Sequence, residues 1–109
     1  NSASFVNDGS FTVTGDGNID ALSGTNSFVN NGTFSKTGGT GVLLVFGSTA
    51  PLFIDNNGLV ELRSGGLQIP GRVLNGTLNV DPGLQITLNG GTNRFGDGAL
   101  ITGGGTVSG

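Results

Sequence analysis

Short apolar clusters alternate with Gly/Asn corners along the chain, and one phrase returns in degenerate form. It reads Phe5-Val6-Asn7-Asp8-Gly9-Ser10-Phe11-Thr12-Val13, then Phe28-Val29-Asn30-Asn31-Gly32-Thr33-Phe34-Ser35-Lys36. A third version, longer by one residue, runs Phe53-Ile54-Asp55-Asn56-Asn57-Gly58-Leu59-Val60-Glu61-Leu62. A shorter one spans Val73 to Val80 and a weaker one Phe95 to Ile101. The anchor glycines Gly9, Gly32, Gly58, Gly76 and Gly98 lie 18 to 26 residues apart, an interval typical of solenoids and other repeat arrays.

Each phrase is an apolar pair, an Asn/Asp-Gly corner and an alternating strand. Asn and Asp tolerate left-handed backbone geometry and Gly adopts it at no steric cost, so a change of direction is expected there. After the corner, Phe11 and Val13, Phe34, Val60 and Leu62, and Leu78 and Val80 occupy every second position, so they point to one face of a strand. Further apolar pieces at Ile19 to Leu22, Val42 to Phe46, Leu67 to Ile69 and Leu84 to Leu88 raise the expectation to two or three strands per repeat. No stretch has the spacing or capping of a helix.

Two all-β arrangements compete. Asn-Gly at 31–32, 57–58, 75–76 and 89–90 is the strongest short signal for a hairpin meander. A stacked coil also explains why the same phrase returns near every two dozen residues, because stacking sets equivalent residues ~4.8 Å apart along one axis. That register predicts an aromatic column of Phe5, Phe28 and Phe53, and a corner ladder of Asn7, Asn30 and Asn56 or Asn57. The expected fold is an all-β parallel β-solenoid of about five coils forming one domain over residues 1–109, a rod of roughly 24 Å.

Composition narrows the function. Hydrophobic residues are 34% and charged residues 10% of 109, with 23 glycines, a balance that resembles a disordered linker until the regular placement of Phe, Val, Ile and Leu is considered. Cysteine is absent, which removes disulfides and thiolate chemistry; stacked repeats need no such staple, since each covers its neighbour's open face. The formal charge is −3, and the basic residues Lys36, Arg63, Arg72 and Arg94 are scattered, which argues against nucleic acid or an anionic membrane as partner. The longest apolar run, Val42 to Phe46, is too short for a helix to span a bilayer. With no initial Met and no leader pattern, the sequence reads as a processed or excised segment.

The Phe-Val-Asn-Asn-Gly-Thr-Phe phrases, followed by Ser64-Gly65-Gly66-Leu67-Gln68-Ile69 and Gly103-Gly104-Gly105-Thr106-Val107-Ser108-Gly109, resemble the repeats of large bacterial secreted β-solenoids. These include autotransporter passenger domains and filamentous-haemagglutinin-like surface proteins. The resemblance covers nearly the whole chain and concerns architecture. It implies a right-handed parallel β-helix located outside the cell or on its surface. The chain departs from the pattern at the short fourth phrase, at Pro70 and Pro82, and at Lys36, where an inward apolar residue is expected.

Catalytic chemistry has few candidates. Histidine, cysteine, tyrosine and tryptophan are absent, leaving Asp8, Asp16, Asp20, Asp55, Glu61, Asp81 and Asp97. A carboxylate hydrolase needs two such groups about 5 to 10 Å apart, and these acids mostly sit in turns one or more coils apart, where turn chemistry explains them. Asp16, Asn18 and Asp20 begin a calcium-loop pattern but lack its glycine and its distant glutamate. The runs Gly38-Gly39-Thr40-Gly41 and Gly103-Gly104-Gly105 precede no helix and read as corners, not phosphate loops. Asn31-Gly32-Thr33 and Asn75-Gly76-Thr77 match the glycan acceptor pattern but are accounted for by the repeat. Thr12 and Thr14 hint at an ice-binding ladder that the other coils do not continue. The reading is therefore no enzyme, no cofactor and no metal. It expects a structural segment that stacks end to end or within a longer chain into a fibre or stalk, with itself or flanking coils as partner. An adhesin module binding glycan or a cell surface through a polar face is the alternative.

Overall fold

The structure, a computed structural model, describes residues 3–15, 17–21, 26–47, 52–88 and 94–108. The described residues form a parallel β-solenoid with three strands per coil. The first coil holds β1 (Ala3–Asn7), β2 (Ser10–Val13) and β3 (Asn18–Ala21); the second β4 (Asn26–Asn30), β5 (Thr33–Lys36) and β6 (Val42–Gly47). The third holds β7 (Leu52–Asn56), β8 (Leu59–Leu62) and β9 (Gly66–Ile69); the fourth β10 (Gly71–Leu74), β11 (Thr77–Val80) and β12 (Gln85–Leu88). The last consists of β13 (Arg94–Phe95), β14 (Leu100–Gly103) and β15 (Thr106–Ser108). Equivalent strands pair in three five-stranded sheets ordered β1-β4-β7-β10-β13, β2-β5-β8-β11-β14 and β3-β6-β9-β12-β15, so about four turns separate β1 from β13. Every pairing among the described residues is parallel, which excludes a hairpin meander for them.

Inward positions from all three sheets meet in one core. It includes Phe28, Phe34, Leu43, Val45, Ile54, Val60, Leu62, Leu67, Ile69, Leu78, Val80 and Ile86. Columns run along the axis through Phe11, Phe34, Val60, Leu78 and Ile101, and through Val13, Lys36, Leu62, Val80 and Gly103. Two expectations need correction. Phe53 is not in the aromatic column: Ile54 pairs with Phe28, while Phe53 pairs with Ser27. Register is anchored at the corner asparagine, so the residue two positions before Asn56 turns inward, and the insertion in the third phrase displaces Phe53. The aromatic cluster instead crosses the corner, joining Phe5, Phe11, Phe28 and Phe34 with ring centroids 4.9 to 5.9 Å apart.

The corner glycines are the second correction. Left-handed backbone occurs at Gly39, Gly65, Gly83, Gly103 and Gly104, and not at the anchor glycines. What Gly58 provides is room: a Cβ there would lie 2.2 Å from the Gly32 carbonyl oxygen of the coil before. Stacked corners approach too closely for any side chain.

The irregular fourth phrase shifts register by one within β10 and still meets the corner, where Leu74 pairs with Asn56. A bulge between Gly71 and Val73 takes up Arg72, and Asp55 Oδ1 accepts the Val73 N–H at 3.1 Å. Pro82 lies in the turn closed by Leu84 N–H to Asp81 O at 3.1 Å, with Gly83 at φ 83°, the geometry of a type II turn with proline second and glycine third.

Candidate functional site

Two asparagine rows mark the corner between the first and second sheets. On the inside, Asn7 Nδ2 donates to Asn30 Oδ1 and Asn30 Nδ2 to Asn56 Oδ1, both at 2.9 Å. The amides also donate to Thr33, Leu59 and Thr77 carbonyls at 2.9, 2.9 and 3.1 Å, so each coil's asparagine ties down the strand after the next corner. Outside, Asn31 donates to Asp8, Asn57 to Asn31 and Asn75 to Asn57 at 2.9, 3.0 and 3.4 Å. This outer row contains both glycan-acceptor asparagines, Asn31 and Asn75.

Lys36 points inward in an otherwise mostly apolar column and is 0% exposed. Its ammonium donates to Gly38, Gly39 and Ser64 carbonyls at 2.8, 3.1 and 3.0 Å. The long apolar stem replaces the missing Leu or Val, and the head satisfies a corner whose carbonyls have left the sheet. Sequence reasoning registered Lys36 as a departure and missed this role; the signal was the Gly-Gly corner two residues on.

Outward on the second sheet run Thr12, Ser35, Glu61, Asn79 and Thr102. Glu61 accepts from Ser35 Oγ at 2.8 Å and from Arg63 Nη2 at 3.1 Å. The serine bond, then the arginine, hold the Glu61 carboxyl below its ordinary value of 4.5; the same pairing raises Arg63. Thr12 is followed in this row by Ser35, Glu61 and Asn79, so no threonine ladder runs along this sheet.

The other acids are dispersed. Asp8 heads the outer row, Asp55 holds the bulge, Asp81 opens the type II turn and Asp97 lies in the turn closed by Ala99 N–H to Gly96 O. Asp16 lies outside the described residues, as do the side chains of Asn18 and Asp20. No group of three acids able to hold a metal occurs among the described residues. On the third sheet, Gly66 interrupts the outward row Val42, Gly66, Gln85, Thr106 and leaves an open groove of about 550 Å³ bordered by Thr40, Val42, Leu84, Gln85 and Thr87.

Apolar columns are uncovered at the two axial edges of the described residues. Phe5 is 48% exposed where Phe28, one coil on, is 3% exposed; Ile101 is 50% exposed where Leu78, one coil back, is 1% exposed. Phe95 is also half exposed. Searches against family models, curated proteins and solved structures found no match to this chain.

Proposed function

We propose that this chain is a structural segment of an extracellular or cell-surface rod, continued at its edges by further coils of the same polypeptide or of other copies to build a fibre or stalk. The observation that carries the reading is that apolar columns open to solvent at both edges in mid-stack, with Phe5 and Ile101 uncovered. Among the described residues, β1, β2 and β3 at one edge and β13, β14 and β15 at the other have a parallel partner on one side only, an arrangement that proteins ordinarily pair or cover. The resemblance of the repeats to secreted bacterial solenoids supports the location.

Small-angle scattering tests the rod. Forms of the chain extended by one and by two copies of residues 26–51 should keep one cross-section and lengthen by about 4.8 Å per added coil. A string of separate globules would overturn the reading. Antibody labelling of intact cells carrying the parent protein tests the location, and labelling only after permeabilisation would contradict it.

One observation favours the adhesin alternative: the groove over Gly66, where Thr40, Gln85 and Thr87 offer polar groups beside Val42. A glycan array should then return a hit that Gln85→Ala removes, and an empty array decides for the rod alone.

A further inference from the structure

The buried asparagine ladder has a direction, and the direction makes the two edges chemically different. Its column runs Asn7, Asn30, Asn56, Leu74, Phe95. Each bond inside it is donated toward the C-terminal side, from Asn7 to Asn30 and from Asn30 to Asn56. The amide oxygens therefore face the N-terminal side, where those of Asn30 and Asn56 receive an N–H from the coil before. Asn7 Oδ1 occupies the same position at the N-terminal edge. Among the described residues, the bond it accepts is a 3.3 Å one from the Gly9 N–H of its own corner. A carbonyl oxygen has two lone pairs, so the acceptor that the ladder uses elsewhere is open here, beside the uncovered Phe5 ring. Toward the opposite edge, the described residues of this column are Leu74 and Phe95, hydrocarbon side chains that carry no donor.

We infer that the N-terminal edge is a strand-addition site selective for a coil that carries asparagine in register with Asn7, and that the C-terminal edge of a second copy is not its preferred occupant. The inference deepens the rod reading by naming the coil that this edge accepts. A strand of the Phe-x-Asn kind lays an aromatic ring on Phe5, as Phe28 does from the other side at 4.9 Å, and directs an amide N–H at Asn7 Oδ1. A second copy stacked head to tail covers Phe5 as well but places Phe95 over Asn7 Oδ1. That removes a polar oxygen from water without giving it a donor, which is the unfavourable case for a buried polar group. Main-chain pairing gives such an added strand affinity, and the side chain in the register position gives it selectivity.

The test is a set of extended full chains in which a copy of residues 26–51 is joined to Ala3, so that the copied Asn30 falls in register with Asn7. Three forms carry Asn, Leu or Phe at that copied position, each in the native background and with Asn7→Leu, and urea unfolding is followed for all. In the native background the Asn form should be the most stable, with an unfolding equilibrium constant about tenfold smaller than the Leu and Phe forms. With Asn7→Leu, the ranking should reverse. Leu or Phe forms equal to the Asn form on native Asn7, or one ranking in both backgrounds, overturn the inference while leaving the rod reading intact. If no extended form exceeds the unextended chain in stability, the rod reading falls with it.

Discussion

Three residues bear most of the polar load inside this solenoid: Asn30, Asn56 and Lys36, each 0% exposed. All sit at corners, where the backbone leaves the sheet ladder and its carbonyls need donors that a neighbouring strand no longer supplies. Lys36→Met fills the same volume but takes the ammonium donor from the Gly38, Gly39 and Ser64 carbonyls, of which Gly39 keeps only the Ser64 hydroxyl, so a loss of about 3 kcal/mol is expected in urea unfolding. Asn30→Leu breaks the ladder on both sides and should cost about 2–4 kcal/mol, whereas Asn7→Leu breaks it on one side and should cost clearly less; equal losses would mean that the ladder bonds carry no energy. Glu61 gives a pH-dependent term. Its carboxyl titrates below 4.5 when folded, so the unfolded chain binds more protons in that range, and the contribution present at neutral pH is lost as pH falls through the folded value. Unfolding midpoints below pH 5 should fall more steeply for the native chain than for Glu61→Gln. The inner ladder was legible in the sequence because Asn recurs at the corner. Lys36 was not: its inward direction follows from the parity of β5, but its partners come from a corner and from Ser64 in the next coil, residues that no sequence spacing relates.

Strand positions followed from alternation and glycine punctuation, and the third sheet from the apolar pieces between phrases. Register within each strand depended on where the corner asparagine falls. This is why an insertion ahead of the corner sends Phe53 outward and Ile54 inward, a shift of one that flips the face. The anchor glycines show how a residue can be identified correctly for the wrong reason. They are demanded by the neighbouring coil's backbone, so the demand should vanish where no coil precedes. Gly58→Ala sets a Cβ against the Gly32 carbonyl and should cost about 2–3 kcal/mol, while Gly9→Ala, with nothing within 4 Å of the added atom, should be nearly neutral. Thermal unfolding of the two variants separates stacking from turn geometry directly, because a left-handed requirement would penalise both alike.

At the scale of the whole molecule, the same three-strand unit is repeated along an axis, with tolerance for coils of different length. Steps of 23, 26 and 18 residues all close onto equivalent corners, the differences being taken up between strands or by the bulge at Arg72. The two edges are cross-sections of that repeat, with Phe5 and Ile101 half exposed. The stacking can be measured bond by bond. Scalar couplings across hydrogen bonds in solution NMR should connect the Thr33 N–H to the Gly9 carbonyl, Leu59 to Gly32 and Thr77 to Gly58, each 2.8 Å apart across successive coils. Couplings that instead join β1 to β2 or β4 to β5, strands adjacent in the chain, would contradict the stacked arrangement and everything built on it.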